Sequence, residues 1–145
     1  MNEQLRVWAP GRVNLIGGHT DYSGGLVLPM AIDLGTTIVG KRGHDRVVLV
    51  SKDEPEPAEV SLDMADPASV APSWARYVAG VVAEVAPTTG FIGQVSTTLP
   101  IGTGLSSSAA LEVAVALALV GDDRVDRQQL ALACQRAEHR ASGVP

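Results

Sequence analysis

The chain contains a single cysteine, Cys134, so no internal disulfide can form and nothing in it asks for an oxidising compartment. Lysine is almost as rare, occurring only at Lys41 and Lys52. Basic residues number 11 against 16 acidic ones, a net charge of −5, which excludes a surface built to coat nucleic acid. Aromatic residues make up 3%, so stacking platforms for single strands are excluded and the core must be Val, Leu, Ile and Ala. No apolar run approaches the roughly 18 residues of a membrane span, and the N-terminus lacks a basic-then-apolar signal pattern. What remains is 145 residues at 46% hydrophobic: the expectation is one cytoplasmic domain, α/β or α+β, with a sizeable core.

The first 50 residues are rich in glycine and β-branched side chains. Leu5 to Trp8 reads as a short strand running into a turn at Ala9-Pro10-Gly11. Asn14 to Gly25 has loop composition, and long loops inside compact domains are usually functional. Ile32 to Gly40 and Arg46 to Val50 read as two strands joined in hairpin style at Gly43-His44-Asp45. Lys52 to Pro72 is a surface excursion with at most one short strand, Ala58 to Leu62.

The second half is helical. Trp74, Tyr77, Val78, Val81, Val82 and Val85 share one helical face, with Ser73 as N-cap and Pro87 as the stop. Phe91 to Leu99 alternates as a strand. Ser106 to Val120, apolar nearly all round, predicts a buried helix closed by Gly121. Asp126 to Ala141 carries Leu130, Ala133, Cys134, Ala137 and Ala141 on one stripe. Glu138 falls on its flank, about 80° from Leu130, and His139 points away.

Between strand and buried helix stands PIGTGLSSSAA, Pro100 to Ala110. A helix N-terminus offers about four unpaired N–H groups and a partial positive charge. Gly102 and Gly104 let the backbone approach a ligand, and Ser106, Ser107 and Ser108 add hydroxyls for phosphate oxygens or a bound Mg2+. An ordinary serine-capped turn needs neither three serines nor a glycine pair. A Walker loop is excluded because no lysine follows Lys52. The dinucleotide fingerprint fails at its third glycine, where Ser107 stands, and G-x-S-x-G does not occur.

Upstream, PGRVNLIGGHTDYSGG places Arg12, Asn14, His19 and Asp21 within ten residues. Donors and acceptors so mixed suit a polyol or sugar. A metal at His19-x-Asp21 lacks further ligands spaced nearby. Solvated loop polarity is the bland alternative for each residue alone.

Together these segments resemble the GHMP kinase superfamily and, within it, the galactokinase family. PGRVNLIGGHTDYSGG is similar to the galactokinase signature, and PIGTGLSSSAALEVA to the superfamily's ATP-phosphate motif. CQRAEHRASGVP is similar to the galactokinase helix that precedes its catalytic loop. The resemblance implies an α+β domain over residues 1–145: a two-layer sheet plus helices with a left-handed βαβ phosphate-binding unit. It implies an ATP-dependent, Mg2+-dependent kinase acting on the C1 hydroxyl of galactose. Arg12 would stabilise charge in the transition state, while His19 and Asp21 would hold sugar hydroxyls. Gly102, Gly104, Leu105, Ser106, Ser107 and Ser108 would wrap the phosphates, with Ser108 (or Ser107) and Glu138 on Mg2+.

Two departures carry consequences. Gly18 stands where the family pattern has Glu, which removes an acceptor, enlarges the sugar pocket and opens the reading to a different or substituted hexose. The chain also stops at Pro145, before the family's catalytic Asp and C-terminal domain. The expectation is an N-terminal portion, inactive alone, with exposed apolar surface favouring oligomers. A non-catalytic sugar or nucleotide sensor is the rival reading, and a mevalonate-type kinase the second. Neither nucleic acid nor membrane is an expected partner.

Overall fold

The computed structural model describes residues 4–16, 28–100, 107–121 and 126–142. Five strands form one sheet: β1 (Gln4–Ile16), β2 (Leu28–His44), β3 (Arg46–Ser51), β4 (Ala58–Ser61) and β5 (Gly90–Thr97). Among the described residues three α-helices follow or interrupt them: α1 (Ala75–Val85), α2 (Ser107–Val120) and α3 (Arg127–Ser142). The strand order is β1-β2-β5-β3-β4, antiparallel except for the parallel β3–β5 pair. This is an α+β arrangement of a sheet with helices packed on one face.

Strand alternation explains which face is covered. Leu5, Ala9, Ile38, Val47, Leu49, Val60, Phe91 and Val95 point inward and are buried, with Val78, Val81, Val82, Ala114 and Val115 from the helices. Trp8, Val50 and Ile92 alternate to the other face and stay exposed. Small residues bring the helices close. A Cβ on Gly80 of α1 would lie 2.5 Å from the carbonyl oxygen of Ala137 on α3, so only glycine permits this crossing.

Three expectations are corrected. The turn at Ala9-Pro10-Gly11 is instead the middle of β1, with a register shift between Pro10 and Arg12. Proline is tolerated there because β1 is an edge strand with one side free of ladder bonds. The strands flanking Gly43-His44-Asp45 do not pair as a hairpin, because β5 inserts between β2 and β3. Ser73 is not the cap of α1: Trp74 occupies that position, and the Ser73 carbonyl accepts from the Arg76 N–H at 3.1 Å.

β1 also runs on to Ile16, which takes Asn14 to Ile16 out of the expected loop, and β2 extends from Leu28 to His44, beyond the expected Ile32 to Gly40. The remaining elements stand as read. β4 covers Ala58–Ser61, and α1 ends at Ala86, held left-handed at φ 50° one residue before Pro87. Gly121, at φ 81°, closes α2 by donating to the Leu117 carbonyl at 2.9 Å. Arg42 adds a second clasp at that end, its Nε donating to the Ala118 carbonyl at 2.8 Å. Asp126 caps α3, its Oδ1 accepting from the N–H groups of Gln128 and Gln129. Among the described residues no helix is long and apolar enough to cross a membrane.

Candidate active site

The site is built where α2 begins. Ser108, in its first turn, donates from Oγ to Oε1 of Glu138 on α3 at 2.6 Å. Both side chains are half-buried. The flank position of Glu138 puts it in reach, while His139 is exposed, as its position on the opposite side of the helix requires. Ala137, pressed against Gly80, fixes the turn of α3 that carries Glu138.

A cavity of about 590 Å3 is lined by Ser108 of this pair together with Ser107, Leu111, Trp74 and Tyr77. The Trp74 indole N–H donates to the Glu56 carbonyl at 3.0 Å, which locks the ring in the wall. Thr36 and Thr97, also lining it, are linked through their hydroxyls at 3.1 Å. The first turn of α2, where a helix's N–H groups have no partner within the helix, therefore lies beside a recess with aromatic and hydroxyl walls.

One site residue escaped the sequence reading. Glu112, on α2, is 1% exposed, and among the described residues its Oε2 has no hydrogen-bond partner. Burial first, and the nearby Glu138 carboxylate second, push its carboxyl up to about 9. Burial and then Glu112 push the Cys134 thiol up to about 12. The Tyr77 phenol is also raised, by burial and then by Glu138 and Glu112, against a lowering from Arg76. Four groups on three helices thus share one electrostatic neighbourhood.

Of the residues proposed from sequence, Ser107, Ser108 and Glu138 come together. Arg12 sits exposed on β1, opposite Ala31, and does not line the cavity. Gly18, His19, Asp21, Gly102, Gly104, Leu105 and Ser106 lie outside the described residues. Among the described residues no group of three or more His, Cys, Asp or Glu side chains forms a metal cage.

Comparison with known proteins places this geometry. Residues 75–145, which include α1 with Tyr77, β5, Ser108 and Glu138, match the GHMP kinases N terminal domain. Residues 2–42 match the galactokinase galactose-binding signature. The chain belongs to the GHMP kinases. Among these kinases it is 44% identical to the galactokinase of Bos taurus over 98% of its own length. It is 43% identical to that of Thermococcus kodakarensis over 97%. It spans about two fifths of their lengths, 39% and 41% respectively. The crystal structure of Lactococcus lactis galactokinase complexed with galactose superposes with a TM-score of 0.85 at 33% identity, covering 99% of this chain and 39% of that one. Methanococcus jannaschii mevalonate kinase shares the fold, with a TM-score of 0.81 at 24% identity over 97% of this chain and 48% of that one.

Proposed function

We propose that the protein transfers the γ-phosphate of ATP to the C1 hydroxyl of galactose, giving galactose 1-phosphate and ADP. The observation that carries this reading is the Ser108–Glu138 pair at the head of α2, opening on the cavity. The nucleoside fits the recess walled by Trp74 and Tyr77, which leaves its phosphates at the N-terminus of α2. Ser107 and Ser108 supply hydroxyls there, and Gly102, Gly104, Leu105 and Ser106 continue the phosphate wrap by resemblance.

The donor set fits Mg2+. A hydroxyl and a carboxylate are hard oxygen ligands, and Mg2+ is usually held by one or two carboxylates, substrate phosphates and several waters. Ser108 and Glu138 are that pair, and the absence of a larger cage among the described residues accords with such a site. When bound, the ion would offset phosphate charge. The chain's own residues orient the nucleotide and exclude water from the transferring group, which is most of what phosphoryl transfer asks of a protein. Arg12 is proposed to compensate charge as the sugar hydroxyl gives its proton to the family's catalytic aspartate and its oxygen bonds to phosphorus while the bond to ADP breaks, and His19 and Asp21 to hold the sugar.

Gly18 favours a second substrate class, hexoses substituted where a glutamate would otherwise stand. The test is ADP release by the intact protein across a panel of hexoses. Galactose-dependent release, lost in Glu138→Gln, is the expected result. Preference for a substituted hexose moves the assignment to that sugar. Residues 1–145 alone are expected to bind without release; in a protein that carries the family's catalytic aspartate, sugar and nucleotide binding without release in any mixture refutes the kinase reading and leaves a sensor.

A further inference from the structure

A buried carboxyl with a free oxygen is a costly thing to keep. An unsatisfied polar group of this kind disfavours folding, and an apolar side chain of similar shape removes the cost. Nothing in the packing of α2 calls for an acid at Glu112, since Ala110, Ala114, Val115 and Ala116 bury the same helix with apolar atoms. Its location is informative. Glu112 follows Ser108 by four residues, which puts the two on one face of α2, about 40° apart and about 6 Å along the axis. On α3 the matching positions are Glu138, which takes the Ser108 hydrogen bond, and Cys134, which feels the Glu112 carboxyl. Both acids therefore lie on the α2–α3 seam, one turn apart, with Ser108 at its open end beside the cavity.

We propose that Glu112 is a positioning residue for the cation site, its free Oε2 accepting a hydrogen bond from water that a bound divalent ion retains beyond Ser108 and Glu138. The inference rests on the cation reading given under Proposed function. Mg2+ and Mn2+ keep part of their water shell, and those waters are donors that need acceptors in the surrounding protein. Glu112 supplies an acceptor that is already dehydrated and has no competing partner. Either protonation state of the carboxyl retains an accepting oxygen, so the role does not depend on titration.

The test is Mn2+ binding to the intact protein, read by electron paramagnetic resonance with Mn2+ alone and with Mn2+ plus ADP, alongside thermal unfolding. Glu112→Met keeps the volume and removes the acceptor. It is expected to unfold at the same or a higher temperature and to bind Mn2+ about tenfold more weakly, the usual scale for losing an outer partner of a metal site. Glu112→Gln keeps an accepting oxygen and is expected to restore affinity to near the parent value. Glu112→Leu serves as a second apolar variant should the methionine fail to fold. Unchanged Mn2+ affinity in a folded Met or Leu variant, with affinity lost in Glu138→Gln, overturns this role and leaves the cation site standing. Unchanged affinity in Glu138→Gln overturns both. Loss of affinity in Glu112→Gln equal to that in the Met variant overturns the acceptor role.

Discussion

At the scale of single residues, the seam between α2 and α3 decides the chemistry of each group in it. Cys134 is the chain's one thiol, and it is 6% exposed. Burial and the Glu112 carboxyl push its ionisation up to about 12, while the thiolate is the form that reacts. Native protein should therefore resist iodoacetamide at pH 8, with labelling beginning only as denaturant unfolds it. Fast labelling of the folded state would mean that the seam opens. Glu112 was hidden in the sequence for a simple reason: one acid in a helix apolar nearly all round gives no face against which to judge it. The signal was present in its spacing. The same angular argument that put Glu138 on the flank of α3 places Glu112 four residues after Ser108, on the serine's own face.

At the scale of elements, local patterns were legible and non-local pairings were not. The α1 stripe, the closure of α2 at Gly121 and the flank position of Glu138 all follow from 3.6-residue periodicity and terminal chemistry. The β2–β3 connection looked like a hairpin because nothing in those residues announces β5, which arrives some 45 positions later and takes the place between them. Pro10 looked like a turn because only the finished sheet reveals β1 as an edge. Trp74 and Tyr77 were read with the valines on one face of α1, yet they stand half-buried and line the cavity. The element most exposed to a single change is the α1–α3 crossing. Gly80→Ala would put a methyl 2.5 Å from the Ala137 carbonyl oxygen, backbone against which no rotamer can yield. The helices must separate, and a loss of about 1–3 kcal/mol in urea unfolding is expected. Because Glu138 follows Ala137, the same variant should also weaken Mn2+ binding. Unchanged stability would mean that the crossing relaxes at no cost.

At the scale of the whole molecule, the buried acid makes global stability depend on pH in an unusual direction. Paired carboxylates generally make proteins more stable as pH rises from acid, because ionisation is favoured in the fold. Glu112 does the opposite. Its carboxyl has an ordinary value of 4.5 once unfolded and about 9 when folded, raised by burial and by Glu138. Between those values the folded state keeps a proton that the unfolded state has released. Unfolding then expels a proton, so rising pH favours it, by at most about 1.4 kcal/mol per pH unit for this group. The contribution is fully present below about 4.5 and is lost progressively as pH rises toward 9. The groups facing Glu112 do not cancel it: Cys134 is held protonated to about 12, and the Tyr77 phenol is likewise raised. Glu112→Gln is permanently neutral and nearly isosteric, so its urea midpoint should fall less steeply than the parent's between pH 5.5 and 8.5. The two curves should diverge steadily with pH, with the variant the more stable at the alkaline end. Parallel curves would show that Glu112 ionises in the fold as readily as in water, and the seam would then have to admit solvent or a cation to the carboxyl.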